Sequence, residues 1–540
     1  MKNKSIKIYI SAALIALSVS SCTDLDVDVK SQYTSYPNSE IAVEAKTSDV
    51  YFAFRGALGR RYNEAMVCSS DECTGVSFDG DYYDSGNYAH PSLHKFMADD
   101  ACMGYWTDLS SGITKCNQVI LDLGGEEQVV TAPVRAIRAF YHFILMDSYG
   151  DVPILDHVLD AEEALERSPR KEVAEWIESE LLAIQDHMTK KVDASTYGKP
   201  TYWMVQALLA KLYINWNVYT MDVTQASWSA TASNEKLEDC VAACDVIIQS
   251  GLFNLSDDYL RKFYPNNGPH IKDFIYAMPY TASKQDGMTY ARFRTWRKGD
   301  SDGKGGAGLY GVKMAKSVGG NLAVTPEFAG LFTLAGDRRN DAIFKGPLFQ
   351  HDPSTYIVTQ TPFLYKDAQV TLTREINLPT VNENLNVGNT VAGWSQGYRF
   401  NKFMVDPAAF DLYNRCQDND IPIFRYADIL LTKCEALLRG AKATTGDTPM
   451  GLFNQIRSYV KAPTLTANPT LDELLDERGR EFFDENWRRN DLIRFGKFEK
   501  DWGFKNSINP GAKTDYTKRI FPVPTGVLNE NTNWKQNAGY

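Results

Sequence analysis

The sequence lacks the motifs on which most enzyme mechanisms depend. Its 540 residues contain no Gly-x-Ser-x-Gly elbow, no His-Glu-x-x-His helix and no phosphate-binding glycine loop. The seven histidines are scattered without the spacing of a catalytic triad. Hydrolysis through an activated serine or a zinc-bound water therefore has no support in the sequence, which favours binding over catalysis.

Clusters of basic residues and metal-ligand spacings are absent as well. The chain has 57 Lys and Arg against 68 Asp and Glu, a net charge of −11, with no cluster that could follow a phosphate backbone. We therefore expect no nucleic acid partner and an uncharged or weakly charged ligand. The nine cysteines match no zinc motif, since Cys240 and Cys244 lie one helical turn apart without a nearby histidine. No cofactor is expected.

The longest apolar run without a charged residue lies at the N-terminus. A segment with three lysines precedes residues 8–19, which are too short to span a bilayer and lead through small residues to Cys22. This pattern predicts a lipoprotein signal peptide over residues 1–21, with lipid attached to Cys22 as a membrane anchor. Losing the three signal-peptide lysines changes the net charge from −11 to −14. The alternative is an ordinary secretory signal in which Cys22 is coincidental.

The chain after a polar tether over residues 22–38 is patterned as helices. Apolar residues recur every three or four positions in several stretches, and Thr470 with Glu473 forms a capping box. The stretches begin near Ser39 and Thr131 and continue around residues 173–188, 205–216, 237–248 and 429–437. Successive helical pairs predict a mostly α fold, a tetratricopeptide-like superhelix, although no clean 34-residue consensus is present.

Two stretches, residues 66–104 and about 265–420, interrupt this helical pattern. Both are dense in Gly, Asp, Asn and Tyr, and long irregular loops inside a folded domain are usually functional or disordered. Their aromatic content argues against disorder. We therefore divide residues 39–540 into a helical part to about 260, a loop-rich insertion over about 265–420 and a helical part over 421–540, and we expect the ligand at the loops.

Aromatic residues in these loops are the candidate ligand contacts. A flat ring can stack on the apolar face of a sugar while neighbouring polar groups bind the ring edge. The alternative is that the rings fill the protein's own core. The predicted site consists of Asp79, Tyr82, Tyr83 and Tyr88 in the first loop and Tyr290, Arg292 and Trp296 in the second.

A charged segment near the C-terminus has both a catalytic and a structural interpretation. Glu477, Glu481 and Glu485 stand one helical turn apart, which resembles the paired carboxylates of a glycoside hydrolase. Arginines three or four residues away would keep these carboxylates ionised, whereas a general acid needs a raised pKa. The sequence therefore favours a structural network of ion pairs.

Two further features remain open. Asp79, Asp81 and Asp84, or Asp300 and Asp302, could bind calcium, although neither run meets the EF-hand pattern. Cys68 and Cys73 lie in a loop outside the cytoplasm, where they could form a disulfide or remain buried thiols.

Several motifs in a fixed order resemble the SusD/RagB-like outer-membrane lipoproteins of Bacteroidetes. The resemblance covers nearly the whole mature chain, with Ala538 at a position where the family more often has Pro. The motifs are Cys22 with the following aspartates, Tyr105-Trp106 with Asn117, residues 137–141, 149–153, 337–338, 424–436, 454–457, 477–496, 521–524 and 536–540.

The resemblance implies a function as well as a fold. It implies a non-enzymatic, lipid-anchored protein of the cell outer membrane, facing the exterior, which delivers glycans to a SusC-like TonB-dependent transporter. The RagB-like members serve oligopeptide uptake, so a peptide-binding lipoprotein is the alternative ligand class. The family's ligand residues lie in variable loops, and the resemblance therefore assigns none of the aromatic residues above.

Overall fold

The computed structural model describes residues 40–78, 86–160, 163–284, 287–297, 299, 308–320 and 322–540, without the side chains of residues 40–42 and 290. Helices predominate, and the strands are short. The helices are α1 Glu40–Tyr51, α2 Arg55–Gly59, α3 Arg61–Cys68, α4 Ala89–Ser92, α5 Trp106–Asp122, α6 Ala132–Tyr149, α7 Arg170–Ile184, α8 Tyr202–Ile214, α9 Trp216–Thr220, α10 Leu237–Ser250, α11 Pro326–Ala329, α12 Val391–Trp394, α13 Pro407–Leu412, α14 Tyr426–Leu438, α15 Pro449–Tyr459, α16 Leu471–Phe482, α17 Arg488–Arg494, α18 Lys505–Ile508 and α19 Thr525–Glu530. The predicted mostly α fold is confirmed.

Local sequence signals place the helix ends. Helix α6 has Pro133 in its first turn and ends at Gly150, whose φ of 77° lies in the region that favours glycine. The predicted capping box is present at α16, where Thr470 and Glu473 each bond the other's backbone N–H. The helix expected to begin near Ser39 is divided, since α1 ends at Tyr51 and α2 begins at Arg55.

Several helices pack side by side, most of them with a helix that is close in sequence. Contacts join α5 to α6 and α6 to α7, and further contacts join α8 to α10, α10 to α14 and α14 to α15. The stretch Val129–Tyr149 is long and apolar enough to cross a membrane, but the body of the protein buries most of it. The apolar side chains of this stretch therefore form part of the protein core.

The strands form two-stranded antiparallel sheets, most of them in the loop-rich insertion. The strands are β1 Cys73–Gly75, β2 Phe274–Met278, β3 Leu322–Val324, β4 Ile343–Phe344, β5 Gly346–Pro347, β6 Phe349–His351, β7 Val358–Pro362, β8 Leu364–Tyr365, β9 Ala368–Gln369, β10 Thr371–Leu372, β11 Arg399–Phe400 and β12 Ile421–Arg425. The pairs are β1–β3, β2–β12, β4–β11, β5–β10, β6–β7 and β8–β9. Strands β2 and β12, which lie near the two ends of the insertion, pair with each other.

Eight cysteines are described, and all are buried free thiols. Cys68 and Cys73 are among them, so the disulfide that the sequence left open is absent from this structure. Burial raises the pKa of both thiols well above the ordinary value, which makes them poor nucleophiles.

Candidate functional site

The two loop-rich stretches, far apart in sequence, pair with each other. Strand β1 of the first stretch pairs with β3 of the second, with Thr74 opposite Ala323. Beyond β1, the backbone of Ser77 donates to Leu385 and accepts from Val387 at 3.0 and 2.9 Å. The structure thus brings together both regions in which the sequence predicted a ligand surface.

Three aromatic side chains form a cluster where these stretches meet, which we call the aromatic junction: Phe78, Tyr365 and Trp394. The rings of Tyr365 and Trp394 are stacked, with centroids 4.0 Å apart and planes 16° apart. Phe78 meets Trp394 edge-on at 4.6 Å. Trp394 is buried and Tyr365 is partly exposed, so Tyr365 is the ring of this cluster that an external ligand can reach.

Separate elements hold the aromatic junction in place. Trp394 ends α12, whose first turn is capped by the Thr390 side chain, and Tyr365 lies on β8. The backbone of Gly299 lies close to both rings, since a Cβ there would be 2.6 Å from Tyr365 and 3.1 Å from Trp394. A residue without a side chain is therefore required at position 299.

Trp296 is a core residue, and its predicted role in stacking on a ligand is wrong for this structure. The side chain is 1% exposed. Its ring packs against Phe293 and Tyr310 at 5.1 Å each, and its Nε1 donates to the Phe400 carbonyl at 2.8 Å. A ring enclosed in this way has no face left for a sugar.

Tyr88 and Arg292 are also buried, which corrects their predicted role as ligand contacts. The Tyr88 hydroxyl donates to Glu64 Oε1 at 3.0 Å, and the Arg294 guanidinium covers its ring. Arg292 pairs with Asp484 at 3.1 Å and lies over Phe403. Both side chains join the two loop stretches to the core instead of facing solvent.

The other predicted site residues are not tested by the structure. Cys22, Asp79, Tyr82 and Tyr83 lie outside the described residues, as do the two aspartate runs considered for calcium. Tyr290 begins a short 3₁₀ helix ending at Phe293, but its side chain is not described. Among the described residues, no three His, Cys, Asp or Glu side chains are placed to hold a metal ion.

Sequence reasoning missed Tyr365, because the hairpin that presents it has no obvious turn signal. Two-residue hairpin loops usually show Asn-Gly or Asp-Gly, whereas β8 and β9 are joined by Lys366-Asp367. The available signal was the apolar run over residues 363–365, which is too brief to identify a strand.

The charged C-terminal segment forms a buried network, as predicted. Arg425 contacts Glu481, Glu485 and Asp273 at 2.9, 2.7 and 2.6 Å, and all four side chains are inaccessible to solvent or nearly so. Arg339 pairs with Glu477 at 2.7 Å and with Glu481 at 3.3 Å. Because Arg339 and Asp273 belong to the insertion, the network joins the insertion to α16.

The electrostatics of this network oppose acid catalysis. Burial alone would raise the pKa of Glu477, but Arg339, Arg480 and Arg457 outweigh it and lower that pKa to about 2. Burial likewise opposes ionisation of Glu485, and Arg425 with Lys402 holds its pKa below the ordinary value. Carboxylates held ionised in this way cannot act as general acids at neutral pH.

Comparisons with known proteins identify the family. The model described as "SusD family" matches residues 272–540, and the model described as "Starch-binding associating with outer membrane" matches residues 25–214. The chain belongs to the SusD-like family. The predicted resemblance to the SusD-like family is thereby confirmed.

Two relatives with curated names match the chain, and the name of one of them states a binding role. The starch-binding protein SusD of Bacteroides thetaiotaomicron is 24% identical over the full length of both chains. A SusD-like protein of Bacteroides ovatus is 22% identical over 95% of this chain and 87% of its own.

Solved structures share the SusD-like fold. A laminarin-binding SusD-like protein, 18% identical, covers 93% of this chain and 100% of its own with a TM-score of 0.65. Surface glycan-binding protein A from Bacteroides fluxus has the same coverage and identity and a TM-score of 0.66. At these identities the likeness establishes the fold alone.

Proposed function

We propose that the protein is a non-enzymatic surface glycan-binding lipoprotein, which captures oligo- or polysaccharide and passes it to a SusC-like TonB-dependent transporter. The observation that carries this proposal is the pairing of β1 with β3, because it brings both aromatic-rich loop stretches to one place beside the partly exposed Tyr365. The names of the relatives, which bind starch and laminarin, support a glycan as the ligand class.

Binding without turnover is consistent with the charges of the C-terminal segment. The paired glutamates that could have served a glycosidase are buried and neutralised by arginines, with Glu481 contacting Arg425 and Arg339. Incubation with a bound glycan should release no reducing ends.

Calorimetric titration against a panel of neutral polysaccharides tests the ligand class. We expect at least one glycan to bind the wild type, and Tyr365→Ala to weaken binding by about 1–3 kcal/mol, the usual effect of removing an aromatic contact. Tyr202→Ala is the matched control, because Tyr202 is also partly exposed, beside Trp203 and with Lys190 over its ring, but lies on α8.

The possible results separate the ligand classes. Failure of every glycan, together with binding of an oligopeptide pool, would replace the proposal with peptide uptake. Equal losses of glycan affinity in Tyr365→Ala and Tyr202→Ala would show that the aromatic junction is not the binding site. Such a result would not contradict glycan binding itself.

Anchoring and delivery depend on Cys22. The basic segment, the short apolar run and the small residues before Cys22 support lipid attachment at that position and location on the outer membrane. We expect palmitate labelling of the wild type and none of Cys22→Ala. The variant should keep its fold and its glycan affinity but fail to support glycan uptake by cells, whereas labelling of the variant would contradict the assignment.

A further inference from the structure

A cavity of about 380 Å³ shares no residue with the aromatic junction. Its wall combines the start of α7, the end of α9 with the four residues that follow, and parts of the C-terminal segment. The volume falls within the range of small-molecule sites, about 300–1,000 Å³. Both signs of charge line the cavity, with Arg170 and Lys171 on α7 and Asp151 and Asp222 in the adjoining loops.

Arg170 lines this cavity as a buried cation without an ion pair. The residue is 7% exposed, and its guanidinium donates to the carbonyls of Met146, Asp147 and Val218 at 3.3, 3.3 and 3.1 Å. These bonds use three of its five N–H groups, and no carboxylate of the described residues forms an ion pair with it. Because burying a charge without a partner of opposite sign is costly, an anionic group of a ligand would stabilise this position.

A second buried arginine leaves this region with an excess of positive charge. Burial lowers the pKa of Arg170 and of Arg489, and Asp147 is the carboxylate that opposes this effect most strongly at both. The Asp147 Oδ1 also accepts from the Tyr219 hydroxyl at 2.9 Å and from the Asn490 amide at 2.7 Å. One buried carboxylate thus serves two buried cations, which favours an anion in the cavity.

Asp151 offers an acceptor to a positively charged group. Its Oδ1 accepts from the Arg170 backbone N–H at 2.8 Å, whereas its Oδ2 has no hydrogen-bond partner among the described residues. Asp222 differs, because Thr224 and Gln225 donate to its two oxygens at 2.6–3.0 Å. The cavity therefore has one acidic group available to a ligand beside its buried cation.

We propose that this cavity binds a small zwitterion, an aliphatic α-amino acid such as leucine, with the carboxylate on the Arg170 guanidinium and the ammonium on Asp151. Hydrogen bonds between charged groups are short and strong. Met221 is 43% exposed and Ile520 is partly exposed, so both can contact the aliphatic side chain. Tyr219, the aromatic residue of the cavity, is buried beneath Arg170 and offers no face to a sugar. The site is thus separate from the proposed glycan site.

Calorimetric titration of the whole protein with L-leucine and L-methionine tests this proposal. We expect at least one of them to bind. The amide of that amino acid lacks the carboxylate and its deaminated acid lacks the ammonium, so each should bind at least about tenfold more weakly. For leucine these analogues are leucinamide and 4-methylpentanoate. Asp151→Asn keeps an oxygen for the Arg170 N–H, and it should weaken binding of the amino acid about tenfold without weakening that of the deaminated acid.

Asp222→Asn is the matched control, because Asp222 lines the same cavity with both of its oxygens occupied. It should leave the affinity for the amino acid unchanged. Failure of both amino acids to bind would overturn the proposal, and so would equal affinity for either analogue. Equal losses in Asp151→Asn and Asp222→Asn would overturn the assignment of the ammonium to Asp151. Glycan affinity should be the same with and without saturating leucine, and competition between the two ligands would overturn the separation of the sites.

Discussion

Glu481→Gln distinguishes a structural network from a catalytic one. The Glu481 carboxylate contacts Arg425 at 2.9 Å, Arg339 at 3.3 Å and Lys262 at 3.9 Å, and none of these side chains is more than 1% exposed. Removing one partner of a buried ion pair costs about 3–5 kcal/mol. Because Arg425 keeps Glu485 and Asp273 and the new amide still accepts hydrogen bonds, we expect the lower end, about 3 kcal/mol.

Equilibrium unfolding in urea, followed by circular dichroism and tryptophan fluorescence, measures this loss. Glu238→Gln is the control, because Glu238 is exposed on α10, and it should change the free energy of unfolding by less than about 0.5 kcal/mol. Glycan affinity should be unchanged in both variants. A stable Glu481→Gln protein that had lost affinity, or had lost an activity present in the wild type, would refute the structural interpretation.

Three further predictions follow from buried side chains. Trp296→Ala should lower the free energy of unfolding by about 3–5 kcal/mol, as for other buried large-to-small changes. A variant with wild-type stability but weaker glycan binding would show instead that Trp296 contacts the ligand. Burial lowers the pKa of Lys505 from 10.5 to about 7, so the folded state binds fewer protons than the unfolded chain, and stability should rise with pH between about 7 and 10.5. Lys505→Met should remove that dependence, as measured by urea unfolding at several pH values; a stability of the variant that still rises with pH in this range would contradict the prediction. The pKa of Glu477 is lowered from 4.5 to about 2, chiefly by Arg339 acting against burial, so its contribution is present above pH 4.5 and lost as the pH falls toward 2. Acid unfolding of Glu477→Gln should therefore depend less on pH in that window, and an unchanged slope would contradict this.

The helical body was predictable because its signals are local. The apolar stripe of α6, its proline in the first turn and the glycine after it lie within about twenty residues and require no knowledge of the fold. The same holds for the capping box of Thr470 and Glu473. The ion network was predictable in kind, since arginines and glutamates one helical turn apart neutralise each other, although Arg339, Lys262 and Lys402 enter it from distant segments.

The candidate site was predictable only in its general location. Trp296 lies in a segment rich in Gly and Asp that reads as exposed, but it is buried through contacts with Phe400 and Phe344, which are far away in sequence. No local pattern distinguishes such a ring from one that faces solvent. Tyr365 was missed for the opposite reason, since its exposure depends on a Lys-Asp turn that sequence rules assign poorly.

Hydrogen–deuterium exchange with and without a bound neutral glycan tests the central claim most directly, because it locates the ligand in the unmodified protein. We expect slower exchange in peptides that contain β1 with Ser77, the β8–β9 hairpin and α12, and unchanged exchange in α7 and α10. Protection confined to the helical pairs, or a bound glycan without any protection near Tyr365 and Trp394, would contradict the account.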